Sequence, residues 1–259
     1  MHVVSYLTMA LSLTTAMPLV SGLTVSPEPT LKNGKYIVDG KTQFSKKAVW
    51  TFTGNKLPVG LSASNYGAGD TRLFIPSNAV VRNGYLELLV NGRQTAMPYK
   101  CGEVVTNVRN IKYASVRTVA ILSEPAGVCN GMFLYKSDTQ ETDIEWLSDR
   151  NSLSNKGTRK LWFTNQDANG DGKSTYKAVT PPSNPTTTEH EYRIDWTAGL
   201  VKFFVDGVQI WQTTEDVPSE PGPWVWNNWS SGNKNWSAGP PAKDATFKIK
   251  SIKMYYNTA

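Results

Sequence analysis

The sequence predicts an all-β fold, two antiparallel sheets packed face to face, and three observations carry that reading. Among 259 residues there are 20 Gly and 15 Pro beside nine Trp and eleven Tyr, a composition of turns and strand-favouring aromatics. Apolar and polar residues alternate over short runs that stop at turn residues. No window of twelve or more residues shows a comparable apolar stripe at the helical period. Two sheets, each with one apolar face, bury those faces against one another, which makes a sandwich.

Taken in order, residues 1–22 are apolar from Val3 to Leu13, carry no Lys or Arg and end Pro18-Leu19-Val20-Ser21-Gly22. That is the pattern of a secretory signal peptide, with a mature chain from about Leu23. Residues 23–259 show no repeat, low-complexity block or long linker and read as one domain. Strands are expected over Tyr85–Val90, ending at Asn91-Gly92, over Ser115–Leu122 and over Gly131–Tyr135. Val201–Val205 and Val208–Trp211 flank Asp206-Gly207 and read as a hairpin, since Asp-Gly takes the positive φ angles of a tight turn. The last strand, Thr246–Tyr255, alternates apolar residues with outward lysines.

Twenty-seven basic and 21 acidic residues give a net charge of +6, but no Lys/Arg run marks a nucleic-acid partner. After the leader no stretch reaches the roughly 18 apolar residues of a membrane span, and no anchor signal closes the chain. The expectation is a soluble, extracellular monomer with no membrane partner. In a secreted chain the two cysteines, Cys101 and Cys129, are expected to form a disulfide. It would contribute about 3 to 4 kcal/mol in the chain-entropy model.

The informative segment is Gln140-Glu141-Thr142-Asp143-Ile144-Glu145-Trp146-Leu147. In a strand, Glu141, Asp143 and Glu145 share one face, and Thr142, Ile144 and Trp146 the other. With the apolar face in the core, three carboxylates crowd the exposed face, which stability alone explains poorly. Retaining glycoside hydrolysis needs two carboxyl groups about 5 to 5.5 Å apart. Residues four apart on a strand have Cα atoms about 13 Å apart, so the two Glu side chains must lean together over Asp143. A solvated polar face and a hard-cation site are the alternatives. Catalysis without metal or cofactor is the stronger reading.

Four tryptophans, Trp224, Trp226, Trp229 and Trp236, lie among Asn, Ser and Gly, a composition suited to stacking on sugars, and Trp226 and Trp229 are the ones favoured for a cleft. Asn228 and Asn235 begin glycosylation sequons. Asp167, Asn169 and Asp171 begin like a calcium loop, but the twelfth position is Ala178 where a bidentate Glu is needed, so a polar turn is expected. His190 lacks a triad or metal partner nearby in sequence and reads as structural.

With Glu141, Asp143 and Glu145 on one strand, Tyr192-Arg193-Ile194-Asp195-Trp196 and Phe203–Gly207 downstream, and Pro223–Trp229 near the end, the chain resembles glycoside hydrolase family 16 from about Gly84 onward, most of all its secreted fungal members. The resemblance implies a jelly-roll sandwich with an open cleft for a β-glucan. It implies Glu141 as nucleophile, Asp143 as assisting carboxylate and Glu145 as acid/base. It also implies Phe133, Tyr135, Arg117 and Asn165 in the cleft and Trp196 stacking on sugar. Ser115 and Thr139 depart from bacterial mixed-linkage glucanases, which carry Glu and Trp there, so their linkage preference does not transfer. The expected activity is a retaining endo-β-glucanase acting on β-1,3 or β-1,3/1,4 linkages. The alternatives are a β-glucan or chitin-glucan transglycosylase and a non-catalytic lectin.

Overall fold

The structure, a computed structural model, describes residues 22–259, so the expected leader lies, apart from Gly22, outside the described residues. β1 (Thr30–Lys32), β2 (Lys35–Val38) and β3 (Thr42–Phe44) form an N-terminal meander, followed by β4 (Lys46–Thr51). β5 (Leu61–Ala63), β6 (Tyr66–Ala68) and β7 (Arg72–Phe74) precede a single 3-10 turn at Pro76–Asn78. Next come β8 (Ala79–Arg82), β9 (Tyr85–Val90), β10 (Tyr99–Thr106), β11 (Ile111–Ile121) and β12 (Cys129–Ser137). β13 (Gln140–Leu147), β14 (Leu161–Asn165) and β15 (Thr175–Val179) lie together, and the chain closes with β16 (His190–Thr197), β17 (Leu200–Val205), β18 (Val208–Thr213), β19 (Trp224–Trp229) and β20 (Ala245–Thr258).

Two sheets make a jelly-roll-like sandwich. The cleft sheet runs β15-β14-β13-β12-β19-β10-β7-β6, with β5 also on β10. The back sheet runs β18-β17-β16-β11-β20-β9-β8, with β4 also on β20. Pairing is antiparallel except between β7 and β10, which run parallel. That exception arises because the β8–β9 hairpin, inserted in the back sheet, returns the chain to the cleft sheet travelling in its original direction. The expected hairpin at Asp206-Gly207 is present, with φ angles of 50° and 75°.

Alternation sends Ile144, Trp146, Phe163, Trp196, Phe203 and Trp226 between the sheets, where all are fully buried. Phe163 of the cleft sheet stacks on Phe203 of the back sheet at 5.0 Å. The back sheet's outer face is unusual, since it carries buried Arg117, Glu191, Arg193 and Asp195. The N-terminal segment covers them and supplies partners: Arg117 donates to the carbonyls of Ser26 and Pro27, Arg193 to Asp39 and to its neighbour Asp195, and the Ser26 amide donates to Glu191. Buried charges persist only with such partners.

The expected disulfide does not form, and both cysteines are free and buried. Cys129 on β12 faces Trp229 of β19, while Gly102, beside Cys101 on β10, faces Asn228 on the other side of the same strand. A whole strand therefore separates them, about 9.5 Å across two spacings, beyond the usual disulfide span of about 4.4 to 6.8 Å between Cα atoms.

Candidate active site

β13 lies near the middle of the cleft sheet, between β12 and β14. Thr142, Ile144 and Trp146 turn into the core, which leaves Glu141, Asp143 and Glu145 on the other face. On β12, Tyr135, Phe133 and Gly131 stand opposite these three in turn. On β14, Thr164 and Trp162 stand opposite Asp143 and Glu145. A Cβ at Gly131 would lie 2.6 Å from Asn227 Oδ1 and 3.1 Å from the Phe133 ring, so a larger residue there would displace these two cleft side chains. The row is less exposed than the sequence suggests: Glu141 and Glu145 are half-buried and Asp143 is buried.

Glu145 is held at both oxygens. The Cys129 thiol donates to Oε1 at 3.0 Å and the Trp236 indole N–H to Oε2 at 3.1 Å. Gln166 donates to Asp143 Oδ2 at 3.3 Å, while Asp143 Oδ1 is buried with no partner among the described residues. Burial raises the pKa of all three carboxyls. Neighbouring carboxylates push Glu141 and Asp143 up further, and the two donors pull Glu145 back down. Arg72 is the cation that favours ionisation of both glutamates. Asp143, fully buried between two like charges, is held well above the usual carboxylate range.

Two hollows flank β13. One, of about 580 Å³, spreads over β12, β19, β10 and β7 and is lined by Arg72, Glu103, Phe133, Tyr135, Asn227 and Trp229 together with both catalytic candidates, Glu141 and Glu145. The other, of about 890 Å³, lies over β14 and β15, lined by Trp162, Tyr176 and Trp236 among others. Both volumes suit small-molecule recognition.

Of the sequence-predicted residues, Glu141, Asp143, Glu145, Phe133, Tyr135 and Trp229 come together here. Four others do not. Arg117 sits on the outer face of the back sheet beneath the N-terminal segment. Trp196 is in the core, its N–H donated to the Pro218 carbonyl. Trp226 is in the core too, donating to Thr118, because on β19 the cleft-facing positions are Val225, Asn227 and Trp229. Asn165 pairs with core-facing Thr142 and donates to the Glu215 carbonyl. Asn228 spends its amide N–H groups on the Leu88 and Ala245 carbonyls, which closes that sequon to a glycan.

The calcium-like segment is a turn whose Asp167, Asn169 and Asp171 oxygens accept backbone N–H groups. His190 bonds Asp206 and Thr188, tying the β17–β18 turn to the loop before β16. Sequence reasoning missed Arg72 and Glu103, assigned Cys129 to a disulfide, and named Trp236 among the sugar-stacking tryptophans without favouring it for the cleft. Glu103 is buried beneath the first hollow, bonded by Ser64, Tyr66 and Asn227. Only alternation along β10 and β12 could have flagged Glu103 and the site role of Cys129; Arg72 carries no local signal.

A Beta-glucanase of Paenibacillus polymyxa is 29% identical over 144 residues, 53% of this chain and 56% of that protein. Xyloglucan endotransglucosylase/hydrolase protein 2 of Arabidopsis thaliana is 35% identical over 134 residues, 45% of this chain and 44% of that protein. The chain thus spans about half the length of these curated relatives. They are bacterial and plant proteins, so the fungal likeness is not carried by them. A prokaryotic beta-1,3-1,4-glucanase (lichenase) from a mouse hindgut metagenome has the same fold, with a TM-score of 0.67 at 17% identity, covering 82% of this chain and 99% of that one. The endo-beta-1,3-glucanase of Pyrococcus furiosus gives 0.66 at 17% identity, covering 88% and 100%. The family model for glycosyl hydrolases family 16 matches residues 69–250, and this chain belongs to that family.

Proposed function

We propose that the protein is a secreted, retaining endo-β-glucanase that cleaves β-1,3 or mixed β-1,3/1,4 linkages. The observation that carries this reading is the row Glu141, Asp143, Glu145 on the floor of an open, aromatic-lined cleft. Glu141 attacks the anomeric carbon while Glu145, whose pKa burial raises, protonates the departing oxygen; Glu145 then takes a proton from water, which releases the sugar from Glu141. Arg72 supplies a positive charge that opposes the rise in the Glu141 pKa and so favours the ionised nucleophile.

A mechanism-based β-glucan inhibitor with an activated leaving group is expected to add its sugar mass to Glu141 within the peptide Gln140–Leu147. Glu141→Ala is expected to lower turnover by at least about 10³-fold, with partial rescue by azide or formate. A label on Asp143 or Glu145, or a folded and fully active Glu141→Ala protein, would remove the assignment. The second hollow favours one further reading, transglycosylation, in which a sugar held over Trp162 and Trp236 replaces water. Product lengths with and without acceptor oligosaccharide separate the two.

A further inference from the structure

The two hollows beside β13 carry opposite charge. The first has Glu103, Asp138, Glu141 and Glu145 against Arg72. The second has Lys156, Lys160 and Lys173 and no carboxylate in its lining. Lys156 and Lys160 come from the loop between β13 and β14, Lys173 from the loop between β14 and β15, and the fold brings them to one place. Among the described residues none of the three is paired with an acid.

Beneath them the floor is aromatic. Trp162 packs against Tyr176 at 5.6 Å and Trp236 at 5.0 Å, and Tyr176 is 61% exposed. Such a floor takes the C–H face of a sugar ring. A neutral glucan, however, offers no counter-charge to three lysines that line one hollow with no carboxylate among its lining residues. The hollow also reaches the reacting centre, because its Trp236 donates to Glu145 and its Gln166 to Asp143.

We propose that this side of the cleft binds a sugar unit bearing an anionic group, a carboxylate or a sulfate, adjacent to the scissile bond. The proposal rests on the glucanase reading above and narrows its substrate to β-glucan chains with anionic substituents. Lysine suits the task as a mobile point charge over a ring already fixed by stacking.

The test uses the full chain carrying Glu141→Gln, which holds substrate without turnover. Three oligosaccharide preparations on one β-1,3-glucan backbone are titrated by calorimetry: neutral, oxidised at C6 to the uronate, and O-sulfated. At low salt, the uronate or the sulfated form is expected to bind at least about tenfold tighter than the neutral one, and the two arms tell which anion is preferred. The gain is expected to shrink in about 0.5 M salt and to vanish in the Lys156→Ala/Lys160→Ala/Lys173→Ala variant. The three single substitutions, each removing part of the gain, serve if the triple variant unfolds early. Equal affinity for all three preparations, a preference that survives the lysine substitutions, or equal competition by polyglutamate overturns the proposal. Hydrolysis of the neutral and the two anionic β-glucan preparations by the unsubstituted protein is measured separately; absence of hydrolysis of all three counts against the glucanase reading and leaves the binding result standing.

Discussion

Glu145 shows how single contacts set the chemistry. Burial raises its pKa, and the donors Cys129 and Trp236 oppose that rise. The Cys129 thiol stays protonated, because burial and the adjacent Glu145 hold its pKa well above the ordinary thiol value. Cys129→Ala therefore removes a donor that favours the Glu145 carboxylate, and the alkaline limb of kcat/KM against pH should move upward while the acid limb stays. Arg72 acts on Glu141 as well as Glu145, so Arg72→Met should move both limbs upward and lower kcat. The two profiles, measured side by side, separate a donor to one carboxyl from a charge seen by two. An unmoved alkaline limb in folded Cys129→Ala protein would deny the thiol its part.

Along β19, parity decides which aromatic serves the cleft and which the core. Trp229 faces the cleft, with the Arg72 guanidinium 4.6 Å from its ring centroid, whereas Trp226 fills the space between the sheets. Trp226→Ala should destabilise by about 3 to 5 kcal/mol, since it opens a cavity and strands the Thr118 hydroxyl. Trp229 is part-buried against two smaller core clusters, so Trp229→Ala should cost less stability than Trp226→Ala and weaken glucan binding by up to about tenfold, the worth of one aromatic contact. Denaturant unfolding and substrate titration of both variants check the assignment, and exchanged outcomes would reverse it.

At the scale of the whole molecule, the site opposes stability. Asp143 titrates well above its usual range in the folded state, so across that interval the folded protein binds a proton that the unfolded chain has lost. Stability then falls as pH rises from about 4 through the folded-state value, and the full penalty stands above it. Asp143→Asn carries no such penalty. Its melting temperature should exceed that of the unsubstituted protein at neutral pH, with the gap closing as pH falls toward about 4. A gap that persists or widens in acid would show the folded-state pKa is not raised. The N-terminal cover acts in the opposite sense, since it shields and pairs Arg117 and Arg193, and Arg117→Ala should lower stability without touching kcat.

Much of this was legible in the chain, because alternation is a local property. A strand's period of two fixes which of its residues share a face, so the carboxylate row on β13, the β17–β18 hairpin and the outward lysines of β20 follow from their own segments. Local pattern does not say which face meets the core, nor which strands become neighbours. Those are settled when two sheets pack and the register of distant strands is chosen. That step put Arg117 and Trp196 on the back sheet, turned Trp226 and Asn165 inward and ran β19 between Cys101 and Cys129. It also brought Arg72 and Trp236, from opposite ends of the domain, to the one strand where their charge and N–H bear on the reacting carboxyls.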